Sequence, residues 1–284
     1  MKKRRARILT LPLLAISALI LLAGCMNTDV ADYSGEGTNM EVYCFSAGKA
    51  DSFLITTENS AVLIDTGLKG FGGDVLEYLR QKGIEKIDYL IITHFDKDHV
   101  GGAAKIINSI CVDNVLQNNS PKDSSAYTKY LSAVSNAAIT PVTVTETYCF
   151  ELDGVGYVID ASGSEKYKDK TSNNCSLIVS VLNGENKLLF AGDIESERIC
   201  EFIDSNSTRY DLLKVPHHGV YDAFTGFLIE SVGPRYAVIT SSDEEPESDE
   251  TIAALEGAGV QVFTTRTAPV TVESDGVSIS VRYE

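Results

Sequence analysis

Thr93-His94-Phe95-Asp96-Lys97-Asp98-His99-Val100-Gly101-Gly102 places four candidate metal ligands within six residues. The apolar run IDYLIIT (87–93) just before it reads as a buried strand, so the loop leaves from the end of a sheet. Side chains that alternate along an extended chain send His94, Asp96 and Asp98 toward one point, and His99 follows beside Asp98. Gly101-Gly102 then allows the backbone to approach a neighbour closely as it enters the next helix. Imidazole and carboxylate are the ligands that borderline and hard divalent ions prefer. A solvated polar turn would carry a similar charge, but two of the chain's four histidines fall in this one loop.

Outward from the loop, the sequence predicts strands in MEVYCFS (40–46), SFLITT (52–57) and AVLID (61–65), and an amphipathic helix over Asp74–Lys82 that Gly83 ends. Helices are expected over Gly101–Ile110 and Ser124–Ala138, then strands PVTVT, YCFEL and GVGYVID as a meander. The second half predicts SLIVSVL (176–182) and KLLFAG (187–192), joined through an Asn183-Gly184 turn. A helix over Glu195–Ile203, strand DLLKVP (211–216), a helix over 220–231 and strand RYAVITS (235–241) follow. A helix over Asp249–Gly257 leads to VQVFTT and a closing hairpin turned at Asp275-Gly276. Strand-rich halves with helices after strands imply two sheets packed face to face with helices outside, an α/β fold. No linker separates the halves, so residues 40–284 are expected as one domain.

The chain has 284 residues and a formal charge of −16. Its N-terminus is read as a processing segment. A basic run (Lys2, Lys3, Arg4, Arg5, Arg7) precedes an apolar stretch, short for a spanning helix, that ends at Leu22-Ala23-Gly24-Cys25. These residues resemble the lipobox of bacterial lipoproteins. The resemblance implies a signal peptide over 1–24, lipidation at Cys25, a flexible tether over 25–39, and an extracytoplasmic domain held at the membrane by its lipid anchor. Without the leader, 19 basic groups face 40 acidic ones, a charge of −21 that repels polyanions. Cys44, Cys111, Cys149, Cys175 and Cys200 form no CxxC and are expected to be buried thiols.

THFDKDHVGG resembles the HxHxDH signature of the metallo-β-lactamase superfamily, with Asp in place of the second His. AVLIDTG (61–67), LLFAGDIE (188–195) and LLKVPHHG (212–219) are similar to further motifs of that family. With NNxSLIV (173–179), the set resembles the soluble β-lactamase-like domain of ComEC-type DNA-uptake proteins, and it is similar to phosphorylcholine esterase modules of surface proteins. The resemblance implies a four-layer αββα sandwich with two divalent ions, zinc or manganese. It assigns His94 and Asp96 to one ion and Asp98 and His99 to the other, with Asp193 bridging. His217 or His218 completes a shell. Asp65 and Glu195 support the ligands from behind. The family's third-motif histidine is missing; Asn174 stands there as a candidate oxygen ligand. Asp98, His217 and His218 are the implied catalytic groups. Lys214 either faces the site or is solvated.

The implied activity is phosphoester hydrolysis at the cell surface. Candidate substrates are a small molecule, a surface polymer or a nucleic acid; no protein partner is evident. The missing histidine argues against β-lactam hydrolysis, and a binding lipoprotein with a vestigial site is the non-enzymatic alternative. The acidic loop Ser241–Pro246 is expected to border the pocket and to disfavour long polyanions.

Overall fold

The first half builds β1 (Met40–Cys44), β2 (Phe53–Thr56), β3 (Ala61–Ile64), α1 (Gly72–Gln81), β4 (Lys86–Ile92), α2 (Ala103–Ile107), β5 (Cys111–Gln117), α3 (Ser125–Asn136) and β6 (Val142–Thr143). The second half adds β7 (Tyr148–Leu152), β8 (Val155–Asp160), α4 (Thr171–Asn174), β9 (Ile178–Asn183), β10 (Asn186–Phe190), α5 (Ser196–Ser205), β11 (Leu212–Lys214), α6 (Thr225–Val232), β12 (Tyr236–Ile239), α7 (Asp249–Gly257), β13 (Gln261–Thr264), β14 (Val270–Ser274) and β15 (Ile279–Tyr283). This computed structural model describes Tyr33 and residues 35–164, 167–168 and 171–284. The expected signal peptide and the lipidation site at Cys25 lie outside the described residues. No helix among those residues is long and apolar enough to cross a membrane.

The strands form an eight-stranded sheet, β15-β14-β1-β2-β3-β4-β5-β6, and a seven-stranded sheet, β13-β12-β11-β10-β9-β8-β7. Period-2 alternation decides what each face buries. Val62, Ile64 and Ile91 of the first sheet meet Val179, Val181, Leu188 and Phe190 of the second in the central core. Leu63, Leu90 and Ile92 point the other way, onto α1–α3 through Val75, Leu79 and Ile106. On the far side Leu189, Leu213 and Ala237 pack on α5–α7 through Ile199, Leu228 and Leu255. The layers are therefore α, β, β and α. Each fully buried Leu, Ile or Phe contributes about 1.5–3 kcal/mol of transfer free energy, so three apolar layers hold the sandwich.

In each sheet the four strands on one side, out to the edge, are parallel: β3-β4-β5-β6 in the first and β10-β11-β12-β13 in the second. Parallel strands in open α/β sheets put ligand sites beyond their carboxyl ends. Here those ends deliver Asp65 and His94 from one sheet, and Asp193 and His218 from the other.

Several elements depart from the sequence expectations. Strand β5 was not foreseen; its first residues are exposed (Cys111, Asp113, Asn114), so only its end reads as a strand. The expected meander does not form, because β6 joins the first sheet while β7 and β8 make a hairpin in the second. The closing hairpin crosses back to the first sheet, where β14 pairs with β1. Residues 220–224 are not helical: the Asp222 carboxylate accepts from the Phe224 N–H at 2.8 Å and holds a turn that delays α6 to Thr225. The end of the expected tether is tied down, with Asn183 bonded to both Thr38 backbone groups at 2.8 Å. Of the five cysteines described, Cys44 and Cys175 are buried, Cys149 and Cys200 are partly buried, and Cys111 is exposed, against the expectation of buried thiols throughout.

Candidate metal centre

The loop after β4 is fastened before it reaches its ligands. Asp65, at the end of β3 and with φ +55°, accepts from the Thr93 N–H at 2.8 Å and from the Thr93 hydroxyl at 2.6 Å. The Thr66 N–H and hydroxyl each donate to the His99 carbonyl at 2.7 Å, and the Asp51 N–H donates to the Asp98 carbonyl at 3.1 Å. Gly101 and Gly102 are required by contact: a Cβ on Gly101 would lie 2.2 Å from the Lys97 carbonyl oxygen, and one on Gly102 2.3 Å from that of Thr66.

Three imidazoles converge from this frame. His94, His99 and His218 are each at most 1 % exposed. Each has its Nδ1 engaged: His94 with Ser176 Oγ at 3.1 Å, His99 with Asp65 Oδ2 at 2.8 Å, and His218 with Thr240 Oγ1 at 2.9 Å. Each leaves its Nε2 buried with no hydrogen-bond partner. Those atoms surround Asp193 Oδ2 at 3.9 Å (His94), 3.1 Å (His99) and 3.2 Å (His218). A buried polar atom without a partner costs about 1–3 kcal/mol. Three of them aimed at one carboxylate suit a cation as their common partner, and fixing Nδ1 from behind is how proteins orient imidazole ligands. Asp98, His99, Asp193 and His218 each present a ligand atom, all within 4.8 Å of one another.

Consecutive left-handed residues make this convergence possible. His217 (φ +47°), His218 (φ +55°) and Gly219 (φ +77°) turn the chain sharply after β11. For residues other than glycine this conformation costs on the order of 1–2 kcal/mol each. The turn splits the two histidines. His218 faces Asp193, while His217 remains one-quarter exposed with Nδ1 3.3 Å from Glu195 Oε1. Glu195 also accepts from Asn173 Nδ2 at 2.7 Å. The side-chain oxygen of Asn174 accepts from the Glu195 N–H at 2.9 Å, so it is engaged at the start of α5. In the missing-histidine segment it is Ser176 that contacts the site, bonding to His94 and accepting from the Asp193 N–H at 3.3 Å.

Beneath the ligands lies a buried charge network, of which the sequence named only Lys214, as either facing the site or solvated. Lys214 is fully buried. Its ammonium donates to the Gly192 carbonyl at 2.8 Å, pairs with Asp51, and lies 3.4 Å from Asp193 Oδ1. Asp51, in the β1–β2 loop, also accepts from the Thr240 hydroxyl at 2.6 Å. Asp51 sits in a sequence that reads as an ordinary polar turn, and nothing local marks it. Asp96 points to the opening, where it accepts from the Lys122 ammonium and the Ser172 hydroxyl.

Ionisation follows from these contacts. Burial, helped by the charge of His99, holds His94 neutral by lowering it to about 3. Burial also opposes charge on His218, but the Asp193 carboxylate outweighs it and raises His218 to about 10. His99 is raised well above the ordinary histidine value for the same reason, against its own burial. Asp98, despite burial, is brought to about 2 by the His218 imidazole 3.4 Å away and the charge of His99.

The profile of the metallo-beta-lactamase superfamily matches residues 46–241. The chain belongs to that superfamily. Its members typically bind two metal ions. Among superfamily relatives, the chain is 25 % identical over 211 residues to Recombination protein 2 of Haemophilus influenzae, covering 72 % of this chain and 25 % of that protein. It is 26 % identical over 231 residues to ComE operon protein 3 of Bacillus subtilis, covering 73 % of this chain and 29 % of that one. The chain thus spans little more than a quarter of the length of these relatives. The metallo-beta-lactamase fold protein YhfI of Bacillus subtilis superposes with a TM-score of 0.54 at 11 % identity, over 85 % of this chain and 99 % of that one, which shows the shared fold.

Proposed function

We propose that this chain is a metal-dependent phosphoesterase acting outside the cytoplasmic membrane, where a lipid at Cys25 anchors it. The observation that carries the reading is the set of three buried, unpartnered Nε2 atoms around Asp193. In this reading Asp98, His99, Asp193 and His218 hold a divalent ion, zinc or manganese. A bound ion of this kind supplies Lewis-acid polarisation of a phosphoryl oxygen and eases deprotonation of water. Asp98 is the ligand nearest the opening, with about a fifth of its side chain exposed. Its low pKa keeps it a carboxylate, placed to orient an attacking water by accepting a hydrogen bond from it. His217 stands at the mouth beside Glu195, where burial lowers its pKa and keeps it a neutral imidazole, placed to hydrogen-bond a substrate oxygen.

The rim bears on the substrate. Glu247 packs on the His218–Gly219 turn, held by the Ser241 hydroxyl at 2.6 Å and by Arg266 at 3.1 Å. Asp243, Glu244 and Glu245 lie in the same loop. Like charges near a mouth of this kind disfavour a polyanion, so a small or zwitterionic phosphodiester fits this reading better than DNA. The test is a screen of the metal-loaded chain against bis-p-nitrophenyl phosphate, p-nitrophenylphosphorylcholine, single-stranded DNA and nitrocefin. Turnover of a phosphodiester without nitrocefin cleavage is expected. Metal retention with no phosphoester turnover would overturn the activity in favour of a binding role.

A further inference from the structure

The two halves of the ligand set differ in what already neutralises them. The Asp98–His99–Asp193–His218 half has two imidazole nitrogens without partners and two carboxylates that converge on them. The His94–Asp96 half is different. Asp96 Oδ1, the oxygen 3.9 Å from His94 Nε2, is the same oxygen that accepts from Lys122 and Ser172. Lys122 also reaches Ser172 Oγ at 3.4 Å. The loop that carries it, between β5 and α3, is pinned where Asn118 Nδ2 donates to the Cys175 carbonyl at 3.2 Å. A cation placed between His94 and Asp96 would therefore meet an ammonium group on its own carboxylate ligand, and like charges at contact distance repel. No third histidine offsets this, because Ser176 supports His94 from behind and the Asn174 oxygen is engaged with Glu195.

We infer that Lys122 supplies the positive charge at the His94–Asp96 position, so that the chain binds a single tight divalent ion and offers the Lys122 ammonium to an anionic oxygen of the substrate. This rests on the phosphoesterase reading above. An ammonium has three donors; Asp96 and Ser172 engage two, and the side chain is about one-third exposed, so the third can reach a ligand. A fixed cation aimed at a phosphoryl oxygen stabilises charge as it develops there.

The experiment is metal counting on the full chain. Wild type, Lys122→Gln and Lys122→Arg are loaded with manganese or zinc, dialysed against metal-free buffer and analysed for ions per chain, with titration calorimetry of the metal-free proteins alongside. One retained ion is expected for wild type and Lys122→Arg. Lys122→Gln is expected to gain a second calorimetric binding event, which adding His94→Ala removes, and to lose about 10²-fold in kcat/KM on bis-p-nitrophenyl phosphate. Two tight ions in wild type, or a single binding event in Lys122→Gln whatever its turnover, would overturn the inference. Both results leave the hydrolase reading standing; failure of wild type to retain any ion is what would remove that reading itself.

Discussion

The two ends of the sandwich handle charge in opposite ways. At the carboxyl ends of the parallel strands, Asp51, Asp65, His94, His99, Asp193, Lys214 and His218 are all nearly or wholly buried. At the opposite end a concavity of about 890 Å³ is lined by Glu41, Lys82, Lys86 and Glu273 among others. Its ion pairs, Lys82 with Glu41 at 2.9 Å and Lys86 with Asp113 at 2.8 Å, are substantially exposed. Burying charge costs several kcal/mol per ion unless partners compensate, whereas an exposed pair contributes little either way. A fold bears that cost only where the arrangement is used. The difference teaches that unpartnered buried atoms locate the site here, and that the size of a hollow does not.

The contrast breaks first at Asp193, which all three imidazoles approach. Asp193→Ala should abolish ion retention and lower any phosphodiester turnover at least about 10³-fold, beyond the 10–100-fold typical of residues that only orient a ligand. Unchanged turnover in Asp193→Ala would refute the assignment. Next comes Lys214→Met. It keeps the volume but leaves Asp51 and Asp193 buried without their cation, which typically costs about 3–5 kcal/mol. Urea unfolding should show the midpoint fall with an unchanged slope. A variant as stable as wild type would mean that the network is not a charge balance.

How far the sequence disclosed this site depends on where each residue lies along the chain. His94, Asp96, Asp98 and His99 share one short loop after an apolar run, and Asp193 and His218 each follow a strand in a motif that resembles the superfamily's. Local pattern therefore sufficed to nominate them. Asp51, Lys122, Ser172, Ser176 and Thr240 reach the site only through tertiary packing, and no spacing rule links them to it. The choice between His217 and His218 likewise depended on two successive positive φ angles, which sequence does not display. The layers were legible because apolar alternation survives in most strands. Strand β5 escaped because its exposed half carries Cys111, Asp113 and Asn114. The crossing of the last hairpin to β1 is long-range register, set by packing of Val270 and Val272 in the central core.

Gly102→Ala probes the frame with no change of charge. Its φ of −85° suits alanine, so the effect is steric: the new Cβ would stand 2.3 Å from the Thr66 carbonyl and 2.9 Å from Gly72 N. Overpacking of this kind costs about 1–3 kcal/mol. Because Thr66 holds the His99 carbonyl, ion affinity should fall along with the melting temperature. Loss of stability with undiminished affinity would show that the loop is not held through Thr66.

Lys86→Ala addresses the other end and should do almost nothing. Lys86 pairs with Asp88 at 2.6 Å and Asp113 at 2.8 Å, yet nearly half of its side chain meets solvent. Water and salt screen both pairs, and ordering a long side chain offsets what attraction remains. Asp88 keeps its hydrogen bond from the Ala61 N–H at 2.9 Å without the lysine. Thermal unfolding and ion affinity should both match wild type within error. A clear loss of ion affinity would couple the two ends through β4, the strand that begins at Lys86 and ends just before Thr93 and His94, and the large hollow would then have to be counted as part of the working site.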